Sequence, residues 1–111
     1  MVSNGRITYK HFWNFTKEHK DNLIEKFTVE LPALRGKIGA SQEEVASSIG
    51  ISRQTYSAYE KHSRPISWSV FLALLFYFDY IPSTHYLIRR LGLFPDELDQ
   101  CRHSEASSQI K

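Results

Sequence analysis

Ser41-Gln42-Glu43-Glu44-Val45-Ala46-Ser47-Ser48-Ile49-Gly50-Ile51-Ser52-Arg53-Gln54-Thr55-Tyr56-Ser57-Ala58-Tyr59-Glu60 is the stretch that decides the fold. It predicts two short helices joined by a tight turn. Ser41 is a good N-cap, and Glu44 three residues on completes a capping box. Val45, Ala46 and Ile49 then fall at i, i+1 and i+4, which lays one narrow apolar stripe toward a core. Gly50 stops the helix where a left-handed residue is wanted, and Ile51 returns to the core. Ser52 caps the second helix, whose apolar side is Tyr56 and Tyr59; both are expected in the core. Its other side carries Arg53, Gln54, Ser57, Ala58 and Lys61, which are small or hydrogen-bonding rather than greasy.

The second helix has the build of one that reads DNA. Residues at the N-terminus of such a helix reach base edges in the major groove, while the helix before it crosses the backbone. Arg pairs with guanine and Gln with adenine, each through two hydrogen bonds. Leu34-Arg35, Ser41-Gln42-Glu43-Glu44-Val45-Ala46, Ile49-Gly50-Ile51-Ser52-Arg53-Gln54-Thr55 and Tyr59-Glu60 together resemble the Cro and lambda-repressor type of helix-turn-helix domain, over about residues 31 to 80. The resemblance implies an all-α, compact five-helix bundle that binds double-stranded DNA, usually as a dimer. It implies that Gln42 binds a phosphate and that Arg53 and Gln54 lead the base reading. Ser57 and Ala58 would lie close to the groove floor, with Ser52, Thr55 and Lys61 completing the DNA-facing set. Arg35 and Glu60 match the family's ion pair, which links the first helix to the end of the third. Taken alone, Arg53 and Gln54 read as an ordinary solvated helix start; the whole pattern turns them into base or phosphate contacts. One departure follows Glu60: the chain reads Lys61-His62-Ser63-Arg64-Pro65, with His62 where the family has Gly. His is among the few non-Gly residues that tolerate positive φ, so the turn can still form, but phosphate contacts from it do not carry over.

At 111 residues the chain is long enough for one domain and a single helical core. Fourteen basic residues against twelve acidic ones leave a net charge of +2, so the location of charge matters more than its sum. Arg35, Lys37, Arg53, Lys61 and Arg64 against Glu43, Glu44 and Glu60 make the motif region mildly basic. The one cysteine, Cys101, has no internal partner and fits a reducing cytosol. The N-terminus shows neither a continuous apolar run nor a small-residue cleavage site, so a cytoplasmic protein is expected. Val70 to Phe78, the longest apolar run, falls far short of the about 20 residues that a bilayer span takes, and no membrane partner is expected.

Outward from the motif, four segments are expected: an N-terminal extension over 1–29, partly helical; the DNA-binding domain over 30–92; a short packing segment over 93–98; and a disordered tail over 99–111. Residues 1 to 8 read as a loose end, and Tyr9, Phe12, Trp13 and Phe15 as an aromatic lead-in. Leu23, Ile24 and Phe27 predict an amphipathic helix over 18 to 28, added to the minimal domain. A new helix is expected at Leu31-Pro32, since Pro suits the first helical position, with Leu34 and Ile38 inward and Gly39 at its end. Ser67 caps a helix from Trp68 to about Tyr80 that is apolar on all sides and needs more than one neighbour to cover it. Pro82 breaks the chain, and Ser83 or Thr84 caps a helix through Leu91 with Tyr86, Leu87, Ile88 and Leu91 as its apolar set. Leu93, Phe94 and Leu98 suggest one last turn that packs back.

No catalytic constellation is visible, and no enzyme activity or cofactor is expected. His11, His19, His62, His85 and His103 lack the spacing and carboxylate company of a metal site, and Cys101 with His103 falls short of the ligands that zinc needs. The expectation is a DNA-binding transcription regulator acting by operator occupancy, and a homodimer. The rivals are an antitoxin-like protein and a protein-interaction module on the same fold, with a protein partner on the N-terminal aromatic segment. The polar face from Arg53 to Lys61 argues for DNA, because a protein-binding helix shows large apolar residues there.

Overall fold

Thr16 accepts a hydrogen bond from the His19 backbone N–H and opens a helix that does not stop until Gly39 takes a left-handed φ of 67°. The structure, a computed structural model, describes residues 13–99. Within them, α1 runs over Lys17–Ile38, α2 over Gln42–Ile49, α3 over Arg53–Glu60, α4 over Trp68–Tyr80 and α5 over Pro82–Arg90, and no strand occurs among the described residues. The loose end expected over 1–8, Tyr9 and Phe12, and all of the expected 99–111 tail but Asp99, with Cys101 and His103, lie outside the described residues.

The single α1 corrects two expectations. A helix over 18–28 and a second one starting at Leu31-Pro32 are one 22-residue helix, with Pro32 in its interior. Pro has no N–H to give the carbonyl four residues back, which is why a boundary is the usual reading. Here Pro32 sits on the exposed side, while Phe27, Leu31 and Leu34 are fully buried on the other. Burial of that stripe overrides the lost bond. The expected boundary at 29/30 therefore falls inside a continuous helix.

The caps of the central pair form as the residue types dictate. Ser41 and Glu44 make a reciprocal capping box, Gly50 turns the chain at φ 82°, and Ser52 accepts from the Thr55 N–H. Ile51 closes the turn by donating its N–H to the Ala46 carbonyl. After α3, His62 takes φ 63° in place of a glycine. Its N–H reaches the Tyr59 carbonyl and the Ser63 N–H reaches the Ala58 carbonyl, so the helix end is satisfied without Gly.

Helix α4 packs against α1, α2 and α5, and α3 is held by α1 and α2. Phe71, Leu74, Leu75 and Phe78 are fully buried and form the core with Phe27, Leu31, Leu34, Val45, Tyr56 and Ile88. The all-round apolar character of α4 is met by separate aromatic covers. Phe15 lies 5.1 Å from Trp68, which stacks on Phe71, and Phe71 meets Phe27 edge-on. Phe94 covers part of Phe76 from the other side. Phe76 still keeps 44% of its surface, and Tyr80 keeps 89%.

Helix α5 also departs from expectation. Pro82 does not break the chain but starts the helix, with Ile81 as N-cap and no side-chain cap. Neither Ser83 nor Thr84 caps it. Thr84 is fully buried, and its hydroxyl donates to the Phe78 carbonyl at 2.6 Å, sewing α5 to the end of α4. Ile88 is buried and Leu87 partly so, but Tyr86 is 77% exposed and Leu91 lies at the surface. The apolar face is thus rotated toward Thr84 and Ile88. Leu93 and Phe94 pack back as expected, and a helical turn begins at Asp96. Asp99, which opens the expected disordered tail, instead meets Arg89 at 3.0 Å.

Candidate nucleic-acid interface

Tyr56 and Tyr59 are three residues apart on α3, so burying both against the core fixes which side of the helix faces out. That outward side carries Arg53, Gln54 and Lys61 exposed, with Thr55, Ser57 and Ala58 half-buried beside them. Nothing apolar and large occupies this face. The first turn of α3 holds no acidic side chain, so the partial positive charge of its free N–H groups is not neutralised. Ser52 spends its hydroxyl locally: it accepts from the Thr55 N–H at 3.1 Å and donates to the Thr55 Oγ1 at 2.9 Å. With the Ser52 hydroxyl spent in this way, Thr55 is the one of the two with a donor to spare.

The other end of α3 is anchored by its last residue. The Glu60 carboxylate accepts from Arg35 Nε at 2.8 Å and from Arg35 Nη2 at 3.1 Å, a two-pronged pair between α1 and α3. The Glu60 side chain is only 8% exposed and that of Arg35 25%. Arg35 Nη1 also donates to the Ala40 carbonyl at 3.1 Å, which ties down the turn before Ser41. Gln42 comes to the same carboxylate, giving its Nε2 to Glu60 Oε1 at 3.0 Å. Burial alone pushes the Glu60 carboxyl up; hydrogen bonds from Arg35 and Gln42, with the Tyr56 hydroxyl alongside, outweigh it and hold the group below the ordinary Glu value. The Glu60 carboxylate in turn raises Arg35. Burial pushes the Tyr56 phenol well up, and its hydroxyl has no partner in hydrogen-bond geometry.

Apart from Ser52, which caps α3, the residues singled out in the sequence divide into two groups. Arg53, Gln54, Thr55, Ser57, Ala58 and Lys61 share the open face of α3. Arg35, Gln42 and Glu60 meet at one point behind it. The Gln42–Glu60 bond was not legible in the sequence, because a Gln at the start of one helix and a Glu at the end of the next carry no spacing signal. Equally silent was a second charged cluster. Arg89 grips Asp79 through two bonds at 3.2 and 3.1 Å, stacks on Phe94 and reaches Asp99. Two histidines do have carboxylate company, His85 beside Asp79 and His19 beside Glu97. Even so, no group of three metal-ligating side chains comes together among the described residues. Nor is any helix among them long and apolar enough to cross a membrane.

Residues 26–79 match a family model described as "Helix-turn-helix domain". The match starts inside α1 and ends one residue short of the end of α4. No curated protein and no solved structure matches the chain.

Proposed function

We propose that this chain, which carries a helix-turn-helix domain over residues 26–79, is a sequence-specific transcription regulator of the Cro and lambda-repressor type. Helix-turn-helix domains bind duplex DNA, and the finer reading rests on one observation: the outward face of α3. Arg53 and Gln54 stand exposed at its start, flanked by small polar side chains, while its two tyrosines are buried. Such a face can enter the major groove and offer two-bond contacts to a guanine and an adenine. Gln42, at the start of α2, is the phosphate contact. Occupancy of an operator, blocking or assisting polymerase in the cytoplasm, is then the mechanism, and no chemistry on the DNA is needed. A homodimer fits this reading, because one recognition helix spans only a few base pairs and two half-sites double the contacts. Phe76, Tyr80 and Tyr86 offer exposed apolar surface for it. Trp13, 47% exposed beside Phe15, favours a second reading in which a protein partner docks on the N-terminal aromatics.

The decisive experiment is selection of bound sites from random duplex DNA at two salt concentrations. A recurrent site, bound more weakly at the higher salt, is the expected result. Sequences recovered at random at both salts would overturn sequence-specific binding. Sedimentation with and without the selected site tests the dimer, which a single protein per site would rule out.

A further inference from the structure

We propose that Glu60 is a positioning residue for DNA binding: by holding the Gln42 amide, it sets the direction in which that amide offers its second N–H to a phosphate. The proposal rests on the reading of Gln42 as a phosphate contact and adds the group that aims it. An amide nitrogen carries two hydrogens in one plane. One goes to Glu60 Oε1 at 3.0 Å; held between that bond and its own stem on α2, the amide is restrained in where it can point the other. The bond is to an ionised acceptor, and such bonds are the stronger ones.

The carboxylate can do this because it is itself held. Two bonds from Arg35 fix its plane, and its side chain is almost fully buried. The same Arg35 reaches the Ala40 carbonyl, so the turn that delivers Ser41 and Gln42 is referenced to the same guanidinium. One point thus gathers the last turns of α1, the start of α2 and the last residue of α3. Charge balance matters as much as geometry. A lone carboxylate close behind a phosphate contact would repel the DNA, and the Arg35 guanidinium cancels it at contact distance. What Gln42 gains is order before binding. A free glutamine side chain would have to be frozen when the phosphate arrives, and that loss is avoided here.

The experiment uses a mixed-sequence duplex at one low salt concentration, since a phosphate contact carries no sequence information. Gln42→Ala is made in the wild-type chain and in an Arg35→Met/Glu60→Met background. Replacing both members of the pair by apolar side chains of similar size leaves neither charge stranded, which protects the fold. In the wild type, Gln42→Ala should weaken binding about two- to tenfold, the worth of one immobilised side chain or one hydrogen bond. In the double-methionine background the same change should cost less than about twofold, because the amide is no longer aimed. An equal loss in both backgrounds would overturn the positioning role and leave DNA binding standing. No duplex binding by the wild type at all would instead remove the functional reading on which the proposal rests. The side-chain amide of Gln42, followed by NMR in the unaltered protein, gives a check that needs no variant to fold. One of its two hydrogens should move on adding duplex while the one facing Glu60 stays; equal movement of both would count against the proposal.

Discussion

Arg35 meets Glu60 from 25 residues away and joins α1 to α3, whereas Arg89 meets Asp79 across the single turn at Pro82 that separates α4 from α5. Both arginines use Nε and Nη2 on a poorly exposed carboxylate, with side-chain exposures of 8% for Glu60 and 12% for Asp79. They differ in what remains if the arginine goes. Asp79 keeps His85, whose Nδ1 lies 3.0 Å away, and Arg89's second acid, Asp99, is 31% exposed. Among the described residues, Glu60 keeps the Gln42 amide and the unaligned Tyr56 hydroxyl. Two pairs of like geometry can therefore carry different costs, because the penalty of breaking one is set by the charge left behind.

The sharpest test of that difference is a pair of truncations compared by thermal or denaturant unfolding. Arg35→Ala should cost about 2–4 kcal/mol, between the values for fully buried and surface pairs. Arg89→Ala should cost about 1–2 kcal/mol, since neither acid is stranded and part of the loss is the uncovered Phe94 ring. Equal losses would break the comparison. Glu60 also writes a pH signature. Its folded value lies below the ordinary 4.5, so its contribution is complete above that pH and drains away as the pH falls through the lower folded value. Tyr56 acts at the other end: its folded value is raised above 10.0, so its contribution is complete below pH 10 and is lost as the pH climbs beyond it. Stability curves against pH should thus fall on both flanks. Glu60→Gln should flatten the acid flank and Tyr56→Phe the alkaline one; a flank left unchanged by its own variant would show that the group does not titrate as described.

On the open face of α3 the expected losses are in binding and not in stability. Arg53→Ala and Gln54→Ala should each weaken binding to the selected site by about 1–3 kcal/mol and relax specificity at one base pair. Both side chains are exposed, so unfolding should shift by no more than about 0.5 kcal/mol. A variant that lost both affinity and stability would move its residue from the reading face to the supporting frame.

How far the sequence carried this division depended on whether the signal was local. Ser41 with Glu44, Gly50, Ser52 and Ser67 announce their caps within four residues, and all form. The inward turn of Tyr56 and Tyr59 follows from helical spacing and decides which residues face out. The Arg35–Glu60 pair spans 25 residues and was legible only through the resemblance to a known domain. Asp79 and Arg89 had no such template. Across the turn at Pro82 their spacing matches no helical neighbour, and the cluster stayed hidden. Pro32 and Pro82 show the opposite failure. Pro32 reads locally as the first position of a new helix and Pro82 as a break, yet Pro32 sits inside a helix and Pro82 begins one. The rule that welcomes Pro at N1 describes Pro82 and not Pro32, where burial of Phe27, Leu31 and Leu34 carries the helix through the proline.

The smallest expected effect sits two residues beyond Glu60 and asks whether the end of α3 carries strain. His62 holds φ 63°, a conformation that costs a non-glycine residue about 1–2 kcal/mol. The backbone bonds that it enables are worth having: His62 to the Tyr59 carbonyl and Ser63 to the Ala58 carbonyl close the helix end. His62→Gly keeps those bonds and removes the steric cost, but gives back about 0.5–1 kcal/mol because glycine has more freedom to lose on folding. The balance is a gain of about 0.5–1 kcal/mol, read as a small rise in thermal midpoint. The Arg35–Glu60 pair should be untouched, so the acid flank of the stability curve should keep its shape. A fall in stability would mean that the imidazole makes a contact worth more than the strain; a changed acid flank would mean that the turn helps to place Glu60, extending the anchored end of α3 into the loop that follows.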